Sequence, residues 1–548
     1  MQSRVPGAGS RLAPIAGRYG VAAMSSFASD LALLPEVLAL HGRWRGAHTA
    51  LIDGERQLSW EAFDALLNRV ANGLHAIGVQ PGDRVAVLMY NSLEMVAALF
   101  GTIKSGAVVV PLNLSITDQA LVEMVRDCGA VAMMASDDQC QRVDALRHRF
   151  PSILEQAYVG VNAPVARWHP FDRWVQEHSA TPGSQSVQPG SPCNIIYSSG
   201  TTGVPKGIVH SHLCRLRWAL ELGAALRYHS GAITICSLGL FSNISWVCML
   251  ATFYAGGTVV VMRSFKPAQL LALIERHQVT HGAFVPVQLQ RILELGAVDA
   301  HPSRTLQTLM CCGSPLPAKT KRDIATALHC QLIELYGLTE GLLTTLAPED
   351  FDRKLPSVGK PLPGAHMLLL DESDRPVALG EAGEIVGRSS LIMSGYHNRP
   401  DADAEATWIA PDGRRWFRTG DIGRLDADGF LYIVDRKKDM LLSGGQNVYP
   451  ADIEEVMRRH EAVADIAVIG VPSASWGETP LAIVVLRAGQ IIEAEQLMAW
   501  TNERVGKQQR VSGVVFRAAL PRNPNGKILK RELRREYFNL AGISGSPS

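Results

Sequence analysis

Four stretches of the chain combine residue types that can handle phosphate, a sugar and a carboxylate. In Tyr197-Ser-Ser-Gly-Thr-Thr-Gly-Val-Pro-Lys-Gly207, four Ser/Thr hydroxyls, three glycines and one lysine stand within eleven residues, directly after the apolar pair Ile195-Ile196. Glycines let backbone N–H groups close around an anion, because no Cβ blocks the approach. Hydroxyls add donors and Lys206 adds a positive charge, which is the chemistry of a polyphosphate cradle. The spacing is not that of the P-loop, which needs G-x-x-x-x-G-K and then Ser or Thr opening straight into a helix; here Pro205 precedes the lysine. A Ser/Gly surface loop has the same composition. In Glu334-Leu-Tyr-Gly-Leu-Thr-Glu340, Tyr336 offers a flat face for a base, Thr339 a hydroxyl and Glu340 a hard oxygen for Mg²⁺. Arg418-Thr-Gly-Asp421 puts a carboxylate on a tight turn, able to accept two sugar hydroxyls. Pro521-Arg-Asn-Pro-Asn-Gly-Lys-Ile528 carries Lys527 on a Pro/Gly-rich loop. Taken singly, these three read equally well as a strand end, a turn aspartate and a surface lysine.

The elements that position them follow from pattern. A chain of 548 residues is too long for one core and implies two or more domains. Apolar content of 47% and charged content of 19% suit a globular enzyme, and a net charge of +1 suggests no nucleic-acid partner. The nine cysteines are scattered, without C-x-x-C, which points to a reducing, cytoplasmic setting and no structural zinc. Residues 231–262 carry no charge, yet Ser, Asn and Gly interrupt the run. It parses as a strand (Ala232–Ser237), a buried helix (Ile244–Tyr254) and a strand (Thr258–Met262), with no transmembrane segment. Helix from Ser59 to Gly78, strand Arg84–Met89, helix Ser92–Lys104 and strand Ala107–Pro111 make a βαβ unit. Further alternation through 121–135, 206–262 and 268–285 implies stacked, mostly parallel sheets. After about residue 365, short strands and the Asp428-Gly429 hairpin signal give a smaller β-rich layer. Residues 1–29 hold Arg4, Arg11 and Arg18 and no acid, and read as a disordered extension rather than a transit peptide.

With the four stretches in one order, together with Ser443-Gly-Gly-Gln-Asn-Val-Tyr-Pro450, the chain resembles the adenylate-forming acyl-CoA synthetase superfamily over roughly residues 30–540. The resemblance implies an α/β fold: a large N-terminal domain of stacked α/β layers with a β-rich subdomain (30–435) and a small mobile α+β C-terminal domain (436–548). It implies a two-step reaction. A carboxylate attacks the α-phosphate of ATP, giving an acyl-adenylate and pyrophosphate; the thiol of coenzyme A then takes the acyl group and AMP leaves. Positioning and charge neutralisation would do most of the work.

By similarity, Ser198, Ser199, Gly200, Thr201, Thr202, Gly203 and Lys206 hold the phosphates, with Thr201 and Glu340 toward Mg²⁺. Gly313, Ser314, Pro315 and Tyr336 form the adenine slot, and Glu334, Leu335 and Gly337 also belong to the ATP/AMP-binding set. Thr339 meets the α-phosphate. Asp421, Arg436 and Ile433 take the ribose side, and Lys527 reaches both the carboxylate and the α-phosphate. Lys438 matches the family's hinge. Ser443, Gly444 and Gly445 would line the pantetheine tunnel, and Trp476 would stack near the nucleotide end of CoA.

The acid pocket is where the sequence departs from its relatives. Many carry a histidine in the loop before the buried helix; here Leu238-Gly-Leu-Phe-Ser-Asn243 has Ser242 at that place. Amino-acid-activating relatives carry an aspartate there, and serine cannot hold an ammonium. Gly341 is expected to leave room, with Trp246, Leu342 and Leu343 as apolar lining. The expected substrate is an uncharged apolar acid, whether fatty, aryl or alicyclic. Two alternatives stay open: an enzyme loading a carrier-protein thiol in trans, and an inactive homologue that only binds. Whether the chain forms a homo-oligomer is not legible.

Overall fold

The computed structural model describes residues 31–163, 167–183, 187–198, 206–295, 304–443, 446–473, 476–523 and 526–537, with the backbone alone at Ser198. Two large sheets dominate. One has eight strands, in the order Gly395–Tyr396, Lys206–Ser211, Pro192–Ser198, Val108–Pro111, Arg84–Leu88, Ala132–Ala135, Tyr158–Gly160 and His169–Pro170. The other has nine, in the order Lys360–Pro361, Leu343–Leu346, Gln331–Gly337, Thr308–Cys311, His281–Phe284, Ile233–Cys236, Thr258–Val261, Thr49–Asp53 and Arg56–Ser59. The pairing is largely parallel, as helical crossovers require. Thr49–Asp53 enters the second sheet beside Thr258–Val261, with Leu51 opposite Val259.

Side-chain alternation divides the helices into layers. Val85 and Val87 of the first sheet and Val259 and Val261 of the second point into one core. That core also takes Phe63, Phe100, Trp218, Trp246 and Phe253 from four helices lying between the sheets. Ala86, Leu88, Val108 and Val110 face the opposite way, onto the helix Asp118–Cys128. Ile235, Val260, Phe284 and Leu309 do the same on the second sheet, against helices Pro267–His277, Pro286–Glu294 and Ala318–Ala327. The result is a five-layer αβαβα stack. A central helix has no solvent face, so it must be apolar all round; this explains Leu93–Lys104 and Asn243–Ala255. The charge-free run is therefore core, and no helix among the described residues is long and apolar enough to cross a membrane.

The expected boundaries hold closely. Ser59 and Ser92 cap their helices by accepting from Ala62 N and Met95 N, at 3.2 and 3.1 Å. Each cap satisfies an N–H that the first turn leaves open. The β-rich layer is a five-stranded antiparallel sheet that includes Arg415–Leu425 and Leu431–Arg436. Its small core holds Leu342, Leu369, Ile385, Phe417 and Leu431. Beyond Arg436 the chain turns into a separate five-stranded sheet with helices Pro450–Arg458, Ala494–Asn502 and Lys530–Tyr537. Pro450 stands at the first helical position, where its missing N–H costs nothing. Residues 1–30, and with them the expected extension, lie outside the described residues. All nine cysteines are free thiols.

Candidate active site

The phosphate motif spans a hairpin: Ser198 pairs with Lys206 across strands Pro192–Ser198 and Lys206–Ser211. Ser199, Gly200, Thr201, Thr202 and Gly203 lie outside the described residues, as does the side chain of Ser198. Lys206 is described, and its Nζ sits over the ring of Tyr396, 4.9 Å from the centroid. Tyr396 comes from the short strand added beside Lys206–Ser211, and its hydroxyl donates to Glu340 Oε1 at 2.9 Å. One aromatic thus links the lysine to the carboxylate. The turn carrying Thr339 and Glu340 is held from two sides: His210 Nε2 donates to the Thr339 carbonyl at 2.8 Å, and Met393 N donates to the Glu340 carbonyl at 2.7 Å. Burial pushes the Glu340 carboxyl above its ordinary range. A carboxylate desolvated in this way favours a cation. Sequence reasoning missed Tyr396 and His210, since neither stands in a pattern that announces a site.

Asp421 and Arg436 form an ion pair. They face each other across adjacent strands, with Arg436 Nε 3.0 Å from Asp421 Oδ1. Tyr336 donates its hydroxyl to Asp421 Oδ2 at 2.7 Å. Asp421 is nearly buried, and its Oδ1 accepts no hydrogen bond despite the ion pair. A buried acceptor left open fits a sugar hydroxyl. Ile433 packs in the same small cluster as Tyr336. Lys527 is carried to this spot from the other end of the chain. Its pKa is lowered to about 7, first by burial and then by the charge of Arg436, with Lys438 adding to the effect and Asp421 and Asp439 opposing it. The loop bearing it meets the large domain directly: a Cβ at Gly526 would stand 3.0 Å from Val287 Cγ1.

Glu334 and Leu335 do not sit as expected. The Glu334 carboxylate is buried in an ion pair with Lys321, whose Nζ also donates to the carbonyls of Leu355 and Ser357 at 2.6 and 3.2 Å. It also takes the backbone N–H of Leu316. Glu334 therefore anchors Leu316, which follows the Gly313–Ser314–Pro315 loop. Tyr336, two residues on, lies on the same side of the strand, past the end of the parallel pairing with Thr308–Cys311 and opposite Thr344. The Leu335 side chain points the other way, into the central core. Gly313 has φ +99°, and a Cβ there would come within 3.2 Å of Ile244 Cδ1 and 3.3 Å of Val285 Cγ1. Gly337 is exposed where the strand turns back.

Four acid-pocket assignments are corrected. Trp246 is fully buried, stacks with Phe100 at 6.2 Å and donates its Nε1–H to the Leu240 carbonyl at 3.0 Å, so it is central core. Leu342 is fully buried in the core of the β-rich layer, and Leu343 in the central core. Gly341 leaves no pocket room: at φ +112°, a Cβ would stand 1.9 Å from the carbonyl oxygen of Leu391. Two backbones meet there. We expect Gly341→Ala to lose about 3 kcal/mol of stability or more, from left-handed strain plus an immovable contact. Urea unfolding checks this; an unchanged midpoint would show that the Leu391 segment yields. Ser242 is the N-cap of helix Asn243–Ala255, accepting from Ile244 N at 3.4 Å. Its loop is clamped by Asn91, which donates to the Leu238 carbonyl at 2.8 Å and accepts from Leu240 N at 2.8 Å.

In the C-terminal sheet, Ser443 pairs with Gly477, which brings it beside the half-exposed Trp476. Gly444 and Gly445 lie outside the described residues. Lys438 stands in the turn between the two sheets.

The geometry gathers Lys206, Glu340, Tyr336, Asp421, Arg436 and Lys527 close to one another. The family model described as AMP-binding enzyme matches residues 41–397, and that of the AMP-binding enzyme C-terminal domain matches 452–527. The long-chain-fatty-acid–CoA ligase FadD13 of Mycobacterium tuberculosis is 34% identical over 493 residues, covering 88% of this chain and 93% of its own. A feruloyl-CoA synthase of an Amycolatopsis species is 34% identical over 503 residues, covering 89% and 96%. The ATP-bound crystal structure of MatB from Rhodopseudomonas palustris superposes with a TM-score of 0.85 at 26% identity, covering 93% of this chain and all of that one. The chain belongs to the AMP-binding enzyme family, the adenylate-forming superfamily of AMP-forming acyl-CoA synthetases.

Proposed function

We propose that this protein joins an uncharged, largely apolar carboxylic acid (fatty, aryl or alicyclic) to coenzyme A, through an acyl-adenylate, in the cytoplasm. The observation that carries this is the delivery of Lys527 from the C-terminal loop to the Asp421–Arg436 pair. In the first step, an oxygen of the acid's carboxylate attacks the α-phosphorus and pyrophosphate leaves. Two anionic groups must approach, so cations around them lower the barrier. Lys527 serves there, Lys206 meets the departing phosphates, and Asp421 accepts the ribose hydroxyls. Tyr336 presents its face to adenine beside the Gly313–Pro315 loop. Thr339 lies next to the α-phosphate. In the second step, the CoA sulfur attacks the acyl carbon and AMP leaves with the bonding electron pair.

Mg²⁺ fits the site. No group of three or more metal-ligating side chains exists among the described residues, but this ion binds through one or two carboxylates plus substrate phosphates. Glu340 would hold it, with Thr201 as a second expected ligand, and bound Mg²⁺ would neutralise charge on the phosphates. Tyr396 keeps Glu340 in place by donating to one of its oxygens.

The absence of a charged side chain at Ser242, Asn243 and Ile244 supports a neutral acid over an amino acid. A pyrophosphate-release assay over a panel of fatty, aryl, alicyclic and amino acids tests the proposal, with free CoA and a phosphopantetheinyl carrier protein as alternative acceptors. We expect ATP-dependent release with apolar acids, none with amino acids, and acyl-CoA as product. Release with no acid at all would overturn the ligase reading; acylation of the carrier protein alone would replace CoA with a protein thiol.

A further inference from the structure

Arg215, on helix His212–Ala225, is fully buried, and no carboxylate among the described residues pairs with it. Its Nε donates to Asn194 Oδ1 at 2.7 Å and one terminal nitrogen donates to Asn243 Oδ1 at 2.9 Å, while the other has no partner. The rings of Trp218 and Trp246 flank the guanidinium at 5.0 and 5.1 Å. Burial lowers its pKa only to about 10, so it is charged at neutral pH. Burying an unpaired cation is costly.

What it does to Asn243 is determined by chemistry. Arginine only donates, so the amide atom facing it must be the oxygen. The Asn243 NH₂ group is thereby turned outward, and none of the described hydrogen bonds uses it. The positive charge behind Oδ1 also polarises the amide and strengthens the outward donor. Asn243 is the first residue of helix Asn243–Ala255, directly after the N-cap Ser242 and only half buried. The next side chain, Ile244, closes on the Gly313 loop. This helix end therefore borders the adenylate site.

We propose that Asn243 is a specificity-determining residue whose outward amide N–H donates to an oxygen acceptor in the body of the acid, a carbonyl, ether or hydroxyl oxygen away from the reacting carboxylate. Arg215 is the positioning residue that fixes the amide, and Asn194 braces Arg215 in turn. The inference rests on the acid–CoA ligase reading and narrows its substrate class: an apolar frame carrying one oxygen.

The test uses full-length enzyme and acid pairs of equal length, in which one methylene is replaced by C=O or O. The readout is the ratio of kcat/KM for the oxygen-bearing acid to that for its hydrocarbon partner, by pyrophosphate release. Wild type should favour the oxygen-bearing acid. Loss of one hydrogen bond should cut the ratio about tenfold in Asn243→Leu, with the change in KM rather than kcat. Arg215→Met should shift the ratio the same way, because the amide is then free to flip. Asn243→Asp separates folding from recognition: it gives Arg215 a charge partner, so Tm should rise while the ratio falls. An unchanged ratio in Asn243→Leu overturns the proposal, as does an equal loss for both acids, which would assign Asn243 to the common carboxylate. If wild type releases pyrophosphate with hydrocarbon acids only, the proposal falls and the ligase reading stands. If no acid supports release, both fall.

Discussion

Lys527→Ala should slow acyl-adenylate formation by about 10²- to 10³-fold, the usual cost of removing one preorganised electrostatic contact from a transition state. Thiolysis of a supplied acyl-adenylate should survive better, because Lys527 is assigned only to the first step. The loss will not be a folding defect. The Lys527 pKa is lowered to about 7, against an ordinary value of 10.5. A depressed lysine pKa means that the unfolded chain binds the proton more tightly, so the buried charge costs stability below pH 7. That cost fades as pH rises from 7 toward 10.5. The alanine variant should therefore be at least as stable as wild type below pH 7, with the gain gone near pH 10.5. The same shift predicts a kinetic profile. In free enzyme the ammonium is lost as pH rises through about 7, so kcat/KM for ATP should fall there. Bound phosphate restores the proton, so kcat should fall only at higher pH. Adenylation within a few-fold of wild type in the alanine variant would remove Lys527 from the reaction.

Lys438→Pro should leave adenylation intact and abolish acyl transfer to CoA. The anchoring of the chain changes owner at this residue. On one side, Arg436 pairs with Asp421, Lys437 N donates to the Gly420 carbonyl at 3.0 Å, and Lys437 Nζ reaches Glu384 at 2.9 Å, all in the β-rich layer. On the other, Asp439 pairs at 2.8 Å with Arg534 of the last helix. In the proposed two-step reaction, Lys527 would approach ATP in one step and the Ser443–Gly445 segment would approach the same centre in the other. Both lie beyond Lys438, so a few dihedrals there must absorb the swing. Lys438 has no positive φ in this arrangement, and the prediction holds provided that proline's φ near −65° matches the adenylating state. Exchange of pyrophosphate into ATP reports the first half, and acyl-CoA formation reports both. Near-normal acyl-CoA output from a folded variant would sink the hinge, and with it the assignment of both steps to one moving domain.

The elements and the polar motifs were legible because each has a local cause. Ser59 and Ser92 cap, Pro450 starts a helix, and Asp421 and Tyr336 carry their chemistry wherever the chain takes them. Pocket lining had no such signal. Gly341, Leu342 and Leu343 follow Glu340 in sequence, but the strand reversal at Gly337–Leu343 sends them into two cores and a backbone crossing. Glu334 stands in the motif yet is taken by Lys321, a partner on a helix whose spacing looks like any solvated helix. Arg215 carries no local signal either: only the stacking of two sheets over helix His212–Ala225 buries it.

The place of Thr49–Asp53 in the second sheet has a consequence for synthesis. Its parallel neighbour, Thr258–Val261, emerges some two hundred residues later. At about 5–20 residues per second, the N-terminal hairpin waits roughly 10–40 s on the ribosome for the strand that completes it. Throughout that interval Ala50, Leu51 and Ile52, buried in the finished protein, present an open apolar edge. The large domain therefore cannot mature from its N-terminus onward: its first strands are held in reserve for a sheet not yet made, and a nascent-chain chaperone has a defined segment to guard.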